Sequence, residues 1–188
     1  MVEIRVGTRR PVGPFGMEND RILVELDAGT GAITRLVDKV GGVDLAGQEP
    51  TGLLESVLER PGDMTSWKIH PPKRRALLEA HAVRRQAQGP YEASVTVEFR
   101  LNNSRIHVTY TLRAGSDLLD VDIDADWLER GDAETGIPSL RYLLPLGLAD
   151  ARGRYEIPFG SIAREEHAGE EVPALRWADV AGTTVDGQ

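Results

Sequence analysis

The fold is decided by residues 92–127, which read EASVTVEFRLNNSRIHVTYTLRAGSDLLDVDIDADW. Apolar and polar residues alternate in three runs, as they do in β-strands with one buried face. Asn102-Asn103 separates the first two runs, and Asn tolerates the left-handed conformation that a tight hairpin needs. A second turn signal, Ala114-Gly115-Ser116-Asp117, precedes the third run. The pattern therefore predicts a three-stranded antiparallel meander.

The register of this meander follows from keeping apolar residues opposite each other on one face. Placing Leu101 opposite Ser104 puts Glu98 opposite His107. Pairing the next turn in the same way puts His107 opposite Asp124. These three side chains are then expected on one polar face of the sheet.

The rest of the chain also indicates strands rather than helices. Residues 22–26 and 32–37 are predicted strands joined by a Gly-rich turn, residues 41–51 a loop, and residues 53–58 a further apolar strand. No stretch has the period of a long amphipathic helix. We expect an all-β, antiparallel sandwich that forms a single domain over residues 1–188.

Composition excludes several function classes. The chain has 188 residues, a net charge of −8 and no cysteine. A nucleic-acid partner is not expected, because phosphate binding needs clustered Lys and Arg. Disulfides are excluded, no apolar run reaches the ~20 residues of a membrane span, and the start does not resemble a signal peptide. We expect a cytoplasmic protein without a membrane partner.

Four alternate aspartates form the acidic row, Asp120, Asp122, Asp124 and Asp126. Their spacing resembles the start of a calcium loop, but Ala125 and Gly131 stand where that loop needs Gly and Glu. A strand also places alternate carboxylates in a line, ~6.6 Å apart, rather than around an ion. We predict a solvated acidic face partly matched by Arg105 and His107, with a cation or sugar contact as the alternative.

No other motif predicts a metal or catalytic site. His70, His81, His107 and His167 form no H-x-H, H-x-D or H-E-x-x-H pattern, so structural or surface roles are expected. The tryptophans Trp67, Trp127 and Trp177 could stack on sugar rings. We expect Trp127 in the core and the other two in the core or at a domain interface.

A charged segment near the C-terminus is the candidate substrate-facing loop. Arg164 precedes Glu165-Glu166, and Glu170-Glu171 follow shortly after. Adjacent carboxylates on one loop cannot flank a sugar from two sides, so hydrolysis is not predicted there. Long loops on a rigid sheet often carry function, and burying an unpaired Arg charge is costly. We predict that Arg164, Glu165, Glu166 and Glu171 face a substrate cleft, the alternative being a flexible, exposed acidic loop.

Six segments in order along the chain together resemble the β-sandwich region of bacterial α-mannosidases of glycoside hydrolase family 38. They are residues 17–26 with 29–31 and 36–39, then 57–60, 64–69, 136–141, 154–164 and 170–180. The segment RYEIPFGSIAR, residues 154–164, is the most specific of them.

The resemblance implies a galactose-mutarotase-like supersandwich in a bacterial protein. In that family an α/β catalytic domain earlier in the polypeptide supplies the zinc ligands and the carboxylates for retaining hydrolysis of α-mannosides. We therefore expect no catalytic residue, metal ligand or cofactor in this chain, which resembles an excised part of a larger enzyme. Its expected partners are that catalytic domain and an α-mannoside, with a homo-oligomer as a further possibility.

Two functions follow from this resemblance. The leading hypothesis is a non-catalytic domain that supports an α-mannosidase and contributes to its cleft. The alternative is a free-standing carbohydrate-binding or mutarotase-like module. A mutarotase needs a His acid and a Glu base across one pocket, and His107 with Glu98 is the pair that the register brings together.

Overall fold

A computed structural model describes residues 13–64, 70–164 and 172–184, and within these ranges the protein is all-β and antiparallel, as predicted. No helix in these ranges is long and apolar enough to cross a membrane. The strands are β1 (Met17–Glu18), β2 (Ile22–Leu26), β3 (Ile33–Asp38), β4 (Val43–Asp44), β5 (Leu53–Glu59), β6 (Pro72–Leu77), β7 (Ala80–Gln88), β8 (Glu92–Leu101), β9 (Ser104–Arg113), β10 (Leu119–Asp126), β11 (Ile137–Leu143), β12 (Leu148–Ile157), β13 (Gly160–Arg164) and β14 (Ala178–Thr184).

The chain divides into two compact units, unit 1 (residues 1–146) and unit 2 (residues 147–188). Unit 1 contains three sheets with the strand orders β1-β2-β3-β4, β10-β9-β8-β7 and β11-β5-β6. We call the second of these the long sheet. Unit 2 contains one sheet in the order β13-β12-β14. The prediction of a single domain over residues 1–188 stays a prediction.

The predicted meander is confirmed in its strands and in its register. β8 and β9 pair with Leu101 opposite Ser104 and Glu98 opposite His107. β9 and β10 pair with His107 opposite Asp124. Asn102 takes a φ of 47°, which is the left-handed conformation expected of the hairpin turn.

The core of unit 1 has the long sheet on one side. On its other side lie the sheet of β1–β4 and the strand β5. Alternate residues of β8 and β9 supply most of the core, because their apolar faces point to the same side. The buried cluster is Met17, Val24, Leu26, Ile33, Leu54, Ala93, Val95, Val97, Phe99, Ile106, Val108, Tyr110 and Leu112. Two facing sheets that share one apolar layer form a β-sandwich.

A buried pair of tyrosines joins the core to the loop before β5. The Tyr142 hydroxyl donates to the Tyr110 hydroxyl at 3.1 Å, and the Tyr110 hydroxyl donates to the Gly52 carbonyl at 3.2 Å. Gly52 has a φ of +69°, and a Cβ there would lie 3.0 Å from both hydroxyl oxygens. Burial raises the pKa of both tyrosines, so both are neutral donors.

Several strands have no clear period-2 signal in the sequence. β6 begins at the second of the two adjacent prolines Pro71 and Pro72, and β4 lies inside residues 41–51, which were expected to be a loop. β7 carries two bulges, which interrupt the alternation that a sequence pattern depends on. In unit 2, the Pro158-Phe159 break is the turn of the β12–β13 hairpin.

Candidate functional site

The polar face of the long sheet brings together the residues considered for acid–base chemistry. Glu98 and His107 are directly opposite each other, and Asp124 lies beyond His107 on β10. The Glu98 carboxylate pairs with Arg84 Nη1 at 3.0 Å, and no hydrogen bond or ion pair joins it to His107. Because that guanidinium neutralises the carboxylate and neither residue lines a cavity, the pair lacks the pocket and the free base that proton transfer needs.

The acidic row lies on the exposed edge strand β10. All four carboxylates are exposed, which confirms the predicted solvated face. Asp120 pairs with Arg113, whose Nε also lies 3.4 Å from a carboxylate oxygen of Glu92. Asp122, Asp124 and Asp126 form neither an ion pair nor a side-chain hydrogen bond with any residue that the structure describes. Within the described ranges, no group of three or more His, Cys, Asp or Glu residues is arranged to hold a metal ion.

Two cavities lie within unit 1. The smaller, of about 480 Å³, has an apolar floor that includes Leu36 and Leu119, with Arg21, Asp38 and Asp117 among its charged lining residues. The larger, of about 680 Å³, is mostly apolar, with Glu49 and Glu79 at its wall. Neither His107 nor Glu98 lines either cavity. No sequence pattern predicts these cavities, because their walls come from turns and strand ends that are distant along the chain.

Arg164, the predicted site residue, is the last residue of β13 and is half-buried. Its guanidinium carbon lies 5.7 Å from the centroid of the Tyr155 ring, within reach of a cation–π contact. Its Nε is buried and has no hydrogen-bond partner among the described residues. Arg164 pairs across the sheet with Gly153, and a Cβ on Gly153 would lie 2.6 Å from the Tyr155 hydroxyl. The glycine thus leaves room for the tyrosine ring beside the arginine.

The order Gly153-x-Tyr155 is the sequence signal for this arrangement. Alternate residues of a strand share a face, and an aromatic ring often covers a glycine on the same face. The other three predicted site residues, Glu165, Glu166 and Glu171, lie outside the described residues. Their role in a substrate-facing loop stays a prediction.

A second polar cluster, formed by Glu156 and Arg176, lies on the other face of the unit 2 sheet. Glu156 is buried, and its carboxylate accepts hydrogen bonds from the Arg176 guanidinium at 2.7 Å and from the Arg176 backbone N–H at 2.8 Å. These bonds hold the pKa of Glu156 below its ordinary value. The cluster ties the chain before β14 to the middle strand of the sheet. It has the geometry of a structural contact, since both oxygens of the carboxylate are occupied.

Unit 2 also exposes a set of large apolar side chains. On the face that carries Tyr155, Ile162 is 42% exposed and Val180 is 44% exposed. Phe159, at the tip of the hairpin, is fully exposed. Trp177 was expected in the core or at a domain interface. It is 43% exposed, so the core alternative was wrong and the interface alternative stays a prediction. Trp127 is half-buried, and Trp67 lies outside the described residues.

The model of one protein family, the glycosyl hydrolases family 38 C-terminal domain, matches residues 17–186. The chain belongs to this family. The match starts at β1 and includes strands of both units, which confirms the resemblance inferred from the six sequence segments. No curated protein matches the chain. A family 38 C-terminal domain is part of a glycoside hydrolase family 38 protein, so the geometry above is that of such a domain.

Proposed function

We propose that this family 38 C-terminal domain is a non-catalytic β-sandwich that packs against the catalytic domain of an α-mannosidase. The observation that carries the proposal is the family match over residues 17–186, which is to the C-terminal domain of these hydrolases. The zinc ion and the catalytic carboxylates would then belong to the catalytic domain. The family resemblance suggests α-mannosides as the substrate and a bacterial source, and the absence of cysteine is compatible with a cytoplasmic location.

The exposed apolar face of unit 2 supports a packing role. Ile162 and Val180 lie on one face of the sheet, on the same side as Tyr155 and Arg164. Contiguous exposed apolar residues beside a cation are typical of protein interfaces rather than of solvated surface. The half-buried Arg164 would bring a positive charge to the rim of that interface.

The polar face of the long sheet gives less support to the mutarotase-like alternative. Glu98 is engaged by Arg84, and His107 lies outside both cavities. A sugar-binding role would need an aromatic platform with polar groups around it. The exposed Trp177 is the one tryptophan of the described ranges that could offer such a platform, and it lies in unit 2.

The proposal is tested first with the isolated chain. Purified protein is assayed with an aryl α-mannoside, with and without added zinc, and no hydrolysis is expected. Hydrolysis that is lost on substitution of a residue within the chain would contradict the proposal. Mutarotase assays with the wild type and His107→Ala test the alternative in the same experiment.

The packing role is tested in the intact family 38 enzyme. The pair Ile162→Thr and Val180→Thr keeps β-branched residues on the strands but removes apolar contact area. We expect the catalytic domain to unfold at a lower temperature in this variant, while the melting temperature of the isolated 188-residue chain is unchanged. Val40→Thr, at a 74% exposed position of unit 1, is the control. An unchanged melting profile of the enzyme would rule out this face as the interface.

A further inference from the structure

Within the described part of the chain, the outer edge of β10 is an unpaired strand edge. β10 pairs with β9 over all eight of its residues, and the register has no bulge. No strand of the described ranges pairs with its other side. Because every second residue of an edge strand points its N–H and C=O outward, this edge presents a regular row of about four residues with free backbone groups.

The opposite edge of the same sheet is protected in two ways. β7 carries two bulges, which twist an edge away from further pairing. Its Arg85 also donates to the carbonyls of Pro14 and Gly16, at 2.7 and 2.9 Å. The two edges of the long sheet therefore differ, since β7 is bulged whereas β10 is regular.

The two faces of β10 specify the chemistry of a partner strand. One face carries the acidic row, in which Asp122, Asp124 and Asp126 form no ion pair with a described residue. The other face carries Val121 and Ile123, which are 38% and 42% exposed although they continue the apolar face of β9. A strand added beside β10 would place its side chains opposite these residues, at the ~5 Å separation of cross-strand pairs.

We propose that the outer edge of β10 binds an extended peptide segment in which lysine or arginine alternates with apolar residues. The segment joins the long sheet as a fifth strand. Its basic side chains lie opposite the acidic row, and its apolar side chains cover Val121 and Ile123. Backbone hydrogen bonds supply affinity in this mode, and the alternation supplies specificity.

Charge disfavours a second copy of this chain as the occupant. Two β10 strands paired with each other would bring two acidic rows onto one face, and like charges directly opposite are destabilising. The same aspartates therefore block self-association and favour a basic partner, which is how specificity is commonly built into an edge. This inference concerns unit 1 and is independent of the packing role proposed for unit 2.

The test uses fluorescence anisotropy with the full 188-residue chain and synthetic peptides of eight residues, the length of β10. One peptide alternates Lys and Val, and an isomer of the same composition has the four lysines in one block. A third peptide has the alternating sequence with N-methyl groups at every second residue, which removes the donors along one edge. We expect the alternating peptide to bind about tenfold tighter than the other two.

Variants of the chain locate the binding site. Asp122→Asn with Asp124→Asn should weaken binding by roughly two- to fivefold for each carboxylate, and Val121→Thr with Ile123→Thr should weaken it similarly. The matched control, Glu49→Gln with Glu79→Gln, removes two charges at the wall of the larger cavity and should leave binding unchanged. Circular dichroism melts of each variant show that it remains folded.

Three results would overturn the proposal. Equal binding of the block isomer would show only non-specific attraction between polyelectrolytes. Equal effects of the β10 variants and the control would place the peptide elsewhere. A dimer of the wild type in sedimentation velocity that is lost in the Val121→Thr, Ile123→Thr variant would show that a second copy occupies the edge.

Discussion

Replacing Tyr110 by phenylalanine removes the hydroxyl that connects Tyr142 to the loop at Gly52. Tyr110 is 1% exposed, and its hydroxyl both donates to the Gly52 carbonyl and accepts from Tyr142. The substitution leaves a carbonyl and a hydroxyl without their partner in a buried place. An unsatisfied buried polar group costs about 1–3 kcal/mol, so we expect Tyr110→Phe to lower the free energy of unfolding by that amount.

Tyr142→Phe is the matched control for this prediction. It removes the outer hydroxyl but leaves the bond from Tyr110 to Gly52 in place, so the expected loss is about 0.5–1.5 kcal/mol. The double variant should lose less than the sum of the two single losses, since both share one hydrogen bond. Urea unfolding followed by circular dichroism measures all four proteins.

The same pair of tyrosines predicts that the free energy of unfolding falls at alkaline pH. Burial raises the pKa of Tyr110 above its ordinary value, so the native state keeps the proton that the unfolded state releases above pH ~10. The stability from the neutral hydroxyl is fully present below pH ~10 and is lost as the pH rises beyond it. Tyr110→Phe should reduce this alkaline loss. The hydrogen-bond reasoning would be refuted if Tyr110→Phe and Tyr142→Phe had strictly additive effects on the free energy of unfolding. It would also be refuted if Tyr142→Phe lost more of that free energy than Tyr110→Phe.

Three further predictions concern the turn between β2 and β3 in unit 1 and the polar contacts of unit 2. Gly31→Ala should lower the free energy of unfolding in urea by more than about 2 kcal/mol, because Gly31 has a φ of +70° and a Cβ there would lie 2.3 Å from Val97 Cγ1. A loss under about 0.5 kcal/mol would contradict the described turn. Glu156→Gln should flatten the acid limb of thermal unfolding: the pKa of Glu156 is lowered by Arg176, so its stabilisation is present above pH ~4.3 and is lost as the pH falls through the lowered native pKa. An acid limb as steep in Glu156→Gln as in the wild type would show that the pair is not coupled to folding. Arg164→Ala should lower turnover or mannoside affinity of the intact enzyme while the melting temperature of this chain changes little; a variant that unfolds the chain and spares the kinetics would make Arg164 structural.

The meander was predictable from the sequence because its rules are local. The alternation in β8, β9 and β10 fixes which side chains share a face, and the Asn102 turn fixes the register of the first pair. A slip of one residue would expose every apolar side chain of a strand, so only one register is compatible with a buried face. The opposition of Glu98 to His107 followed from that register alone. The family was also recognisable, since its short segments recur in order along the chain.

The candidate sites depended on tertiary structure. The alternation in β10 predicts a buried apolar face, yet Ile123 is 42% exposed, because the layer that covers β9 does not extend to the edge strand. The Arg164 guanidinium reaches the Tyr155 ring because the pairing of β12 with β13 puts Arg164 opposite Gly153, on the face that carries Tyr155.

The sequence by itself determined the strand pattern, the meander register and the family, which depend on the order of neighbouring residues. Only the tertiary structure decided which edge of the long sheet stays open and which turns and strand ends enclose the larger cavity. The physical reason is that burial of a side chain is a property of whole layers, whereas alternation specifies only which face of one strand that side chain occupies.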